Sequence, residues 1–155
     1  MRSSSAEDGA RRQVLLVEDS PGDVRLTREA FREANPSVQL HVAADGVEAM
    51  AFLRREAEHR DAPSPDLVLL DLNLPRMDGR EVLAQIKGDP GLRTIPTVIL
   101  TTSESAADIA NSYRLQANCY LSKPQQLDAF ESLVRSVNDF WLTKAQLPQQ
   151  QRDRG

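Results

Sequence analysis

The sequence predicts an α/β fold: a five-stranded parallel, doubly wound sheet flanked by five helices. Two observations carry this. Short strand-like runs alternate five times with longer segments of helical period. The third run, Leu67-Val68-Leu69-Leu70, is apolar throughout, as a strand covered on both faces must be. At 155 residues, 40% of them hydrophobic, the chain suits one domain around a single core.

Residues 1–12 are polar and Ser-rich and read as a disordered lead. Strand 1 is expected over Gln13 to Val17. Ser20-Pro21-Gly22-Asp23 is a turn, with Asp23 a candidate N-cap. Helix 1 follows from about Val24 to Ala34, with Val24, Thr27, Phe31 and Ala34 on one face, and Asn35-Pro36 ends it. Strand 2, Val38 to Ala43, alternates with Val38, Leu40 and Val42 on one side. Asp45-Gly46 opens helix 2, about Val47 to Glu58, with Ala49, Phe52 and Leu53 inward. A breaker-rich loop, Asp61 to Pro65, leads to strand 3, Leu67 to Leu70.

After a loop containing Pro75 and Gly79, helix 3 spans about Arg80 to Lys87 and stops at Gly88-Asp89-Pro90. Strand 4 is Thr97 to Leu100. Ser103 or Ser105 caps helix 4, which runs to about Leu115. Strand 5 is Asn118 to Leu121. Helix 5 begins after Pro124 and runs to about Lys144. Leu127, Phe130, Val134, Val137 and Trp141 form its apolar stripe, widened by Leu133, Phe140 and Leu142. The Gln-rich end, residues 145–155, reads as a flexible tail, leaving 13–144 as the domain.

Composition excludes several classes. The net charge of −4 and the lack of a basic stripe argue against DNA binding. Cys119 is the one cysteine, so no intrachain disulfide is possible, and in an apolar strand it reads as a small hydrophobe. Glu18 interrupts the first apolar run too early for a signal sequence, and nothing approaches a membrane span. A soluble, cytoplasmic protein is expected. His41 and His59 show no metal-binding spacing.

The chemistry gathers at strand ends. Strand 1 runs into Glu18-Asp19, strand 3 into Asp71, strand 4 into Thr101, and strand 5 into Ser122-Lys123-Pro124. In an open parallel sheet, ligands bind outside the carboxyl ends of the strands. Three carboxylates, a hydroxyl and an ammonium would therefore meet in one crevice. Mg²⁺ takes oxygen ligands, typically one or two carboxylates with water and phosphate. Asp19 and Asp71 suit direct ligation, Glu18 can hold a bound water, and the backbone carbonyl of Asn73 can complete the set. Mn²⁺ or Ca²⁺ could substitute. An aspartate can also act as a nucleophile and form an aspartyl-phosphate. Lys123 and Thr101 could then answer the added charge.

The segments VLLVEDS (14–20), LVLLDLNLPRMDG (67–79), Thr101 and YLSKP (120–124) resemble receiver domains of two-component response regulators over about residues 13–143. That resemblance implies a flavodoxin-like sheet of strand order 2-1-3-4-5. It implies Asp71 as acceptor of a phosphoryl group from a histidine kinase, Glu18 and Asp19 as the acid pair, and Asn73 as the carbonyl ligand. Thr101 and Lys123 would bind the phosphoryl group, and Tyr120 would be the aromatic whose rotamer couples to Thr101. Lys123-Pro124 fits the family's usual cis peptide. More narrowly, EDSPGDVRLTREAF, DLNLPRMDGREVLAQIK, ANCYLSKP and FWL resemble the stand-alone regulators paired with phytochrome-type histidine kinases in bacteria and cyanobacteria. Thr102 departs from the alanine or glycine frequent after the threonine, which should alter the phosphate's lifetime.

The expected function is a single-domain, Mg²⁺-dependent phosphorylation switch. It would change the face of helix 4, strand 5 and helix 5 and signal to an unknown downstream protein. No output domain is expected. Phe140, Trp141 and Leu142 suggest a homodimer through strand 5 and helix 5. The chain would catalyse its own phosphorylation and dephosphorylation without being a turnover enzyme. A phosphatase with a nucleophilic aspartate would want a second aspartate where Asn73 stands. A phosphate-independent adaptor would not need the acid cluster, and no Gly-rich phosphate loop follows strand 1.

Overall fold

The computed structural model describes residues 11–148. Five parallel strands form one sheet in the order β2-β1-β3-β4-β5: β1 Gln13–Val17, β2 Gln39–Ala43, β3 Leu67–Leu70, β4 Thr97–Thr101 and β5 Cys119–Ser122. The helices are α1 Pro21–Ala34, α2 Gly46–Arg54, α3 Gly79–Gly88, α4 Ala106–Arg114 and α5 Leu127–Val137. The receiver-like order expected from the sequence is thus present. The lead and tail expected at the two ends lie mostly outside the described residues.

Alternation along the strands sends side chains to opposite faces. Leu15, Val17, Val68, Leu70 and Ile99 pack with Ala49, Met50, Phe52 and Leu53 of α2 and with Val82, Leu83 and Ile86 of α3. Val14, Leu16, Leu67, Leu69 and Val98 pack with Ala30 and Phe31 of α1 and with Phe130, Val134 and Val137 of α5. All four β3 residues are fully buried. Burying each such leucine or valine contributes about 1.5–3 kcal/mol over leaving it in water.

Register fixes where the strand ends fall. Val17 pairs with Leu70, Leu70 with Ile99, and Thr101 with Ser122. The residues that follow these strands therefore emerge side by side at one edge of the sheet.

Four elements differ from expectation. Helix α1 starts three residues early because Ser20, not Asp23, is the N-cap: the Asp23 N–H donates to Ser20 Oγ at 3.3 Å. Helix α2 ends at Arg54, because Arg55 is left-handed (φ 57°), and a 3₁₀ turn Ala57–His59 follows. Val42, at the end of an edge strand, is 37% exposed, while Val38 and Leu40 pack against the core. Leu127, the first residue of α5, is 57% exposed.

The end of helix 5 is a π-helical stretch, Asn138–Lys144, in which the Ala145 N–H donates to Phe140 O at 2.8 Å. The wider turn shifts the phase of the apolar stripe. Leu142 becomes core, Trp141 is half-buried, and Phe140 is 54% exposed. Asn138 is buried there, and its side-chain oxygen accepts from Asn35 Nδ2 at 3.0 Å, joining the ends of α1 and α5. Among the described residues no helix is long and apolar enough to cross a membrane.

Candidate functional site

The crevice is built from backbone outward. Glu18 N–H donates to Ala43 O at 3.0 Å and Asp71 N–H to Val17 O at 3.1 Å, extending the ladder just past β1 and β3. Lys123 N–H donates to Thr101 O at 2.7 Å, doing the same past β5. Glu18, Asp71, Thr101 and Lys123 are all buried, whereas Asp19 is exposed.

The Lys123 ammonium stands among three carboxylates. It donates to Glu18 Oε1 at 2.6 Å, to Asp23 Oδ2 at 2.9 Å and to Asp71 Oδ2 at 3.2 Å. Burial works against its charge. The hydrogen bonds to Glu18 and Asp23, with the charges of Glu18 and Asp71, outweigh burial and hold its pKa above the usual lysine range. Burial pushes the Glu18 carboxyl up, against the opposing pull of Lys123 and of the Ser20 N–H, which donates to Glu18 Oε2 at 3.0 Å.

Asp23 is a site residue that sequence reasoning assigned to capping. Since Ser20 takes that role, the Asp23 side chain is left to face Lys123. The available signal was its place on the first turn of the helix that begins beside the Glu18-Asp19 pair.

The donor set fits a hard divalent cation. Carboxylate oxygens of Glu18, Asp19 and Asp71 all lie within 4.8 Å of one another, and oxygen is the donor such an ion takes. Asn73 is exposed on the loop after β3, and its N–H donates to Asp71 Oδ1 at 3.4 Å.

Two glycines hold this loop. A Cβ on Gly79 would lie 2.0 Å from Asp71 O, and one on Gly46 would lie 2.1 Å from Met77 O. Only glycine permits either approach.

Thr101 Oγ1 is buried with no hydrogen-bond partner among the described residues. A buried hydroxyl in that state is rare and asks for an acceptor. The Tyr120 hydroxyl instead donates to Ser103 O at 3.0 Å, two residues beyond Thr101. Its backbone N–H donates to the Tyr113 hydroxyl at 3.0 Å.

The cis peptide expected at Lys123-Pro124 is absent; every described peptide bond is trans. The tertiary amide before proline itself favours trans. His59 also differs from expectation. The turn after α2 brings its Nε2 to 2.6 Å from Glu48 Oε2 and 3.7 Å from Glu58 Oε2.

At the other end of the sheet's edge, Cys119, Leu121, Leu133, Ser136, Val137, Phe140 and Trp141 line an apolar groove of about 200 Å³. Phe140 and Trp141 meet edge to face, ring centroids 5.2 Å apart. Leu142 lies in the core and offers nothing to this surface.

A family model described as the response regulator receiver domain matches residues 14–135. The chain belongs to that family. It is 45% identical over 144 residues to the response regulator Rcp1 of Synechocystis, covering 93% of this chain and 98% of Rcp1. The phosphorylated cyanobacterial phytochrome response regulator RcpA superposes with a TM-score of 0.87 at 47% identity, covering 90% of this chain and 99% of RcpA. The Mn²⁺-bound form of Rcp1 superposes with a TM-score of 0.86 at 46% identity, over 89% and 99% of the two chains. This protein is therefore a signalling receiver domain, homologous to the phytochrome response regulators of cyanobacteria.

Proposed function

We propose that the chain is a single-domain phosphorylation switch whose acceptor is Asp71 and whose donor is a histidine kinase of the phytochrome class. The observation that carries this reading is the bare, buried Thr101 hydroxyl on the strand next to Asp71, with Lys123 already in contact with that carboxylate. A phosphoryl group on Asp71 brings three acceptor oxygens and roughly −1.5 to −2 of charge. One hydroxyl and one ammonium on neighbouring strands answer both.

The chemistry balances simply. An oxygen of Asp71 attacks phosphorus, a P–O bond forms, and the P–N bond to the kinase histidine breaks. The imidazole nitrogen keeps the bond's electron pair, takes a proton from solvent and leaves neutral. Lys123, relieved of part of its bond to Asp71, turns to a phosphoryl oxygen, and Thr101 donates to another. Glu18, Asp19, Asp71 and the Asn73 carbonyl would hold Mg²⁺, which supplies charge neutralisation for the transferring group. Mn²⁺ would serve in its place, as it occupies Rcp1.

The chain turns over no external substrate in this reading. The kinase class is proposed from the phytochrome response regulators it resembles. The cytoplasm is the expected compartment. The groove of Cys119, Leu121 and Trp141 beside the edge strand β5 supports a homodimer through β5 and α5, with Phe140 and Trp141 as its apolar contacts. The run of elements from β1 to the π-helical stretch supports domain bounds of 13–144.

The test is transfer from an autophosphorylated cyanobacterial phytochrome kinase carrying labelled phosphate. Label should move to this chain and not to Asp71→Asn. Retention of label on the kinase, with acetyl phosphate still able to phosphorylate Asp71, would reject the phytochrome pairing alone.

A further inference from the structure

Arg80, on the first turn of α3, reaches across to α4. Its Nε and Nη2 donate to Asp108 Oδ1 at 3.2 and 3.0 Å, and Nη2 also donates to Asp108 Oδ2 at 3.0 Å. Its Nη1 donates to Asp78 Oδ1 and Oδ2 at 3.0 and 3.1 Å, so the guanidinium is fixed on its own side as well. This planar, many-pronged geometry is what arginine offers and lysine does not.

Asp108 in turn accepts from Ser103 Oγ at 2.7 Å. Ser103 O receives the Tyr120 hydroxyl at 3.0 Å and Ser122 Oγ at 3.4 Å. The short segment after Thr101 is therefore pinned at Ser103 from α4 and from β5. Through Asp108 it is tied on to α3, the helix that follows the Asp71 loop. Thr101 Oγ1, two residues before the pin, has no partner among the described residues.

We propose that Arg80 and Asp108 are positioning residues: a clasp that holds the Thr101–Ser105 segment in its unphosphorylated place and so sets how readily Asp71 accepts phosphate. The inference rests on the phosphoacceptor reading of Asp71. In this proposal the Thr101 hydroxyl reaches a phosphoryl oxygen by a shift toward β3, which the contacts holding Ser103 restrain. Opening the clasp raises the fraction of molecules with the segment free. Any ligand that needs that fraction then binds or reacts better by the same factor. Both partners are partly exposed, so the restraint is modest and weakens with salt.

The test uses the full chain with Mg²⁺ and acetyl phosphate, followed by intact mass, and beryllofluoride occupancy followed by fluorine-19 NMR. Arg80→Gln, Asp108→Asn, Ser103→Ala and the Arg80→Gln/Asp108→Asn pair are compared with wild type, each checked for a cooperative melt. Each single variant should phosphorylate about twofold to fivefold faster, the range open to a partly exposed ion pair. Beryllofluoride should bind tighter by a similar factor. The double variant should match the singles, and raising NaCl should narrow the gap to wild type. Unchanged rates in Asp108→Asn and Ser103→Ala would overturn the clasp. So would slower reaction in Arg80→Gln beside faster reaction in Asp108→Asn, which would make Arg80 a donor-binding group. Failure of wild type itself to be modified, with Asp71→Asn identical to it, would reject the phosphoacceptor reading instead.

Discussion

Lys123 Nζ lies 2.6 Å from Glu18 Oε1, and both side chains are almost fully buried. Residues 105 apart in sequence thus form the electrostatic centre of the crevice. Lys123→Met would leave Glu18 and Asp71 buried without a counter-charge. Removing one partner of a buried pair costs about 3–5 kcal/mol. Chemical denaturation in EDTA at pH 7 should show that loss. Adding Mg²⁺ should restore more stability to the variant than to wild type, because the cation replaces the missing charge.

Gly79→Ala drives a methyl group into Asp71 O, at 2.0 Å before relaxation. The backbone carrying Asp71 must move. The melting temperature should fall and Mg²⁺ should bind more weakly in a titration. Gly88→Ala, where a Cβ meets nothing within 4 Å, is the control and should retain wild-type affinity.

Thr102 is exposed beside Thr101. Its side chain is expected to screen the phosphoryl group from water in the proposed state. Thr102→Ala should shorten the life of the aspartyl-phosphate, measured as loss of the mass adduct after donor removal. An unchanged dephosphorylation rate would show that Thr102 does not shield the bond.

Burial pushes the His41 imidazole below its ordinary pKa of 6.5. The neutral ring is the form the fold accepts, with Nε2 2.8 Å from Gln13 Oε1 and the ring 5.2 Å from that of Phe52. The unfolded chain then binds the proton more readily. Stability from this group is complete above pH 6.5 and is lost as pH falls through the folded value. Urea midpoints of wild type should drop between pH 7.5 and pH 5.5 by more than those of His41→Gln.

The fold was legible because its signals are local. Apolar β3, strand alternation and the Gly88-Asp89-Pro90 stop each act within a few residues. The strand-end residues Glu18, Asp19, Asp71, Thr101 and Lys123 were legible for the same reason: parallel strands bring their own ends together. Asp23 was not, since Ser20 and Asp23 compete for one cap and sequence does not say which wins. The π-helical phase shift that buries Leu142 and exposes Phe140 has no signature in a period near 3.6. Arg80 and Asp108 are 28 residues apart, on different helices, so no pattern joins them.

The most direct measurement is intact mass after incubation with Mg²⁺ and acetyl phosphate, wild type beside Asp71→Asn. A phosphoryl adduct on wild type that requires Mg²⁺ and vanishes in Asp71→Asn is the predicted result. A folded wild-type protein that gains no adduct, or an adduct that persists in Asp71→Asn, would contradict Asp71 as the acceptor.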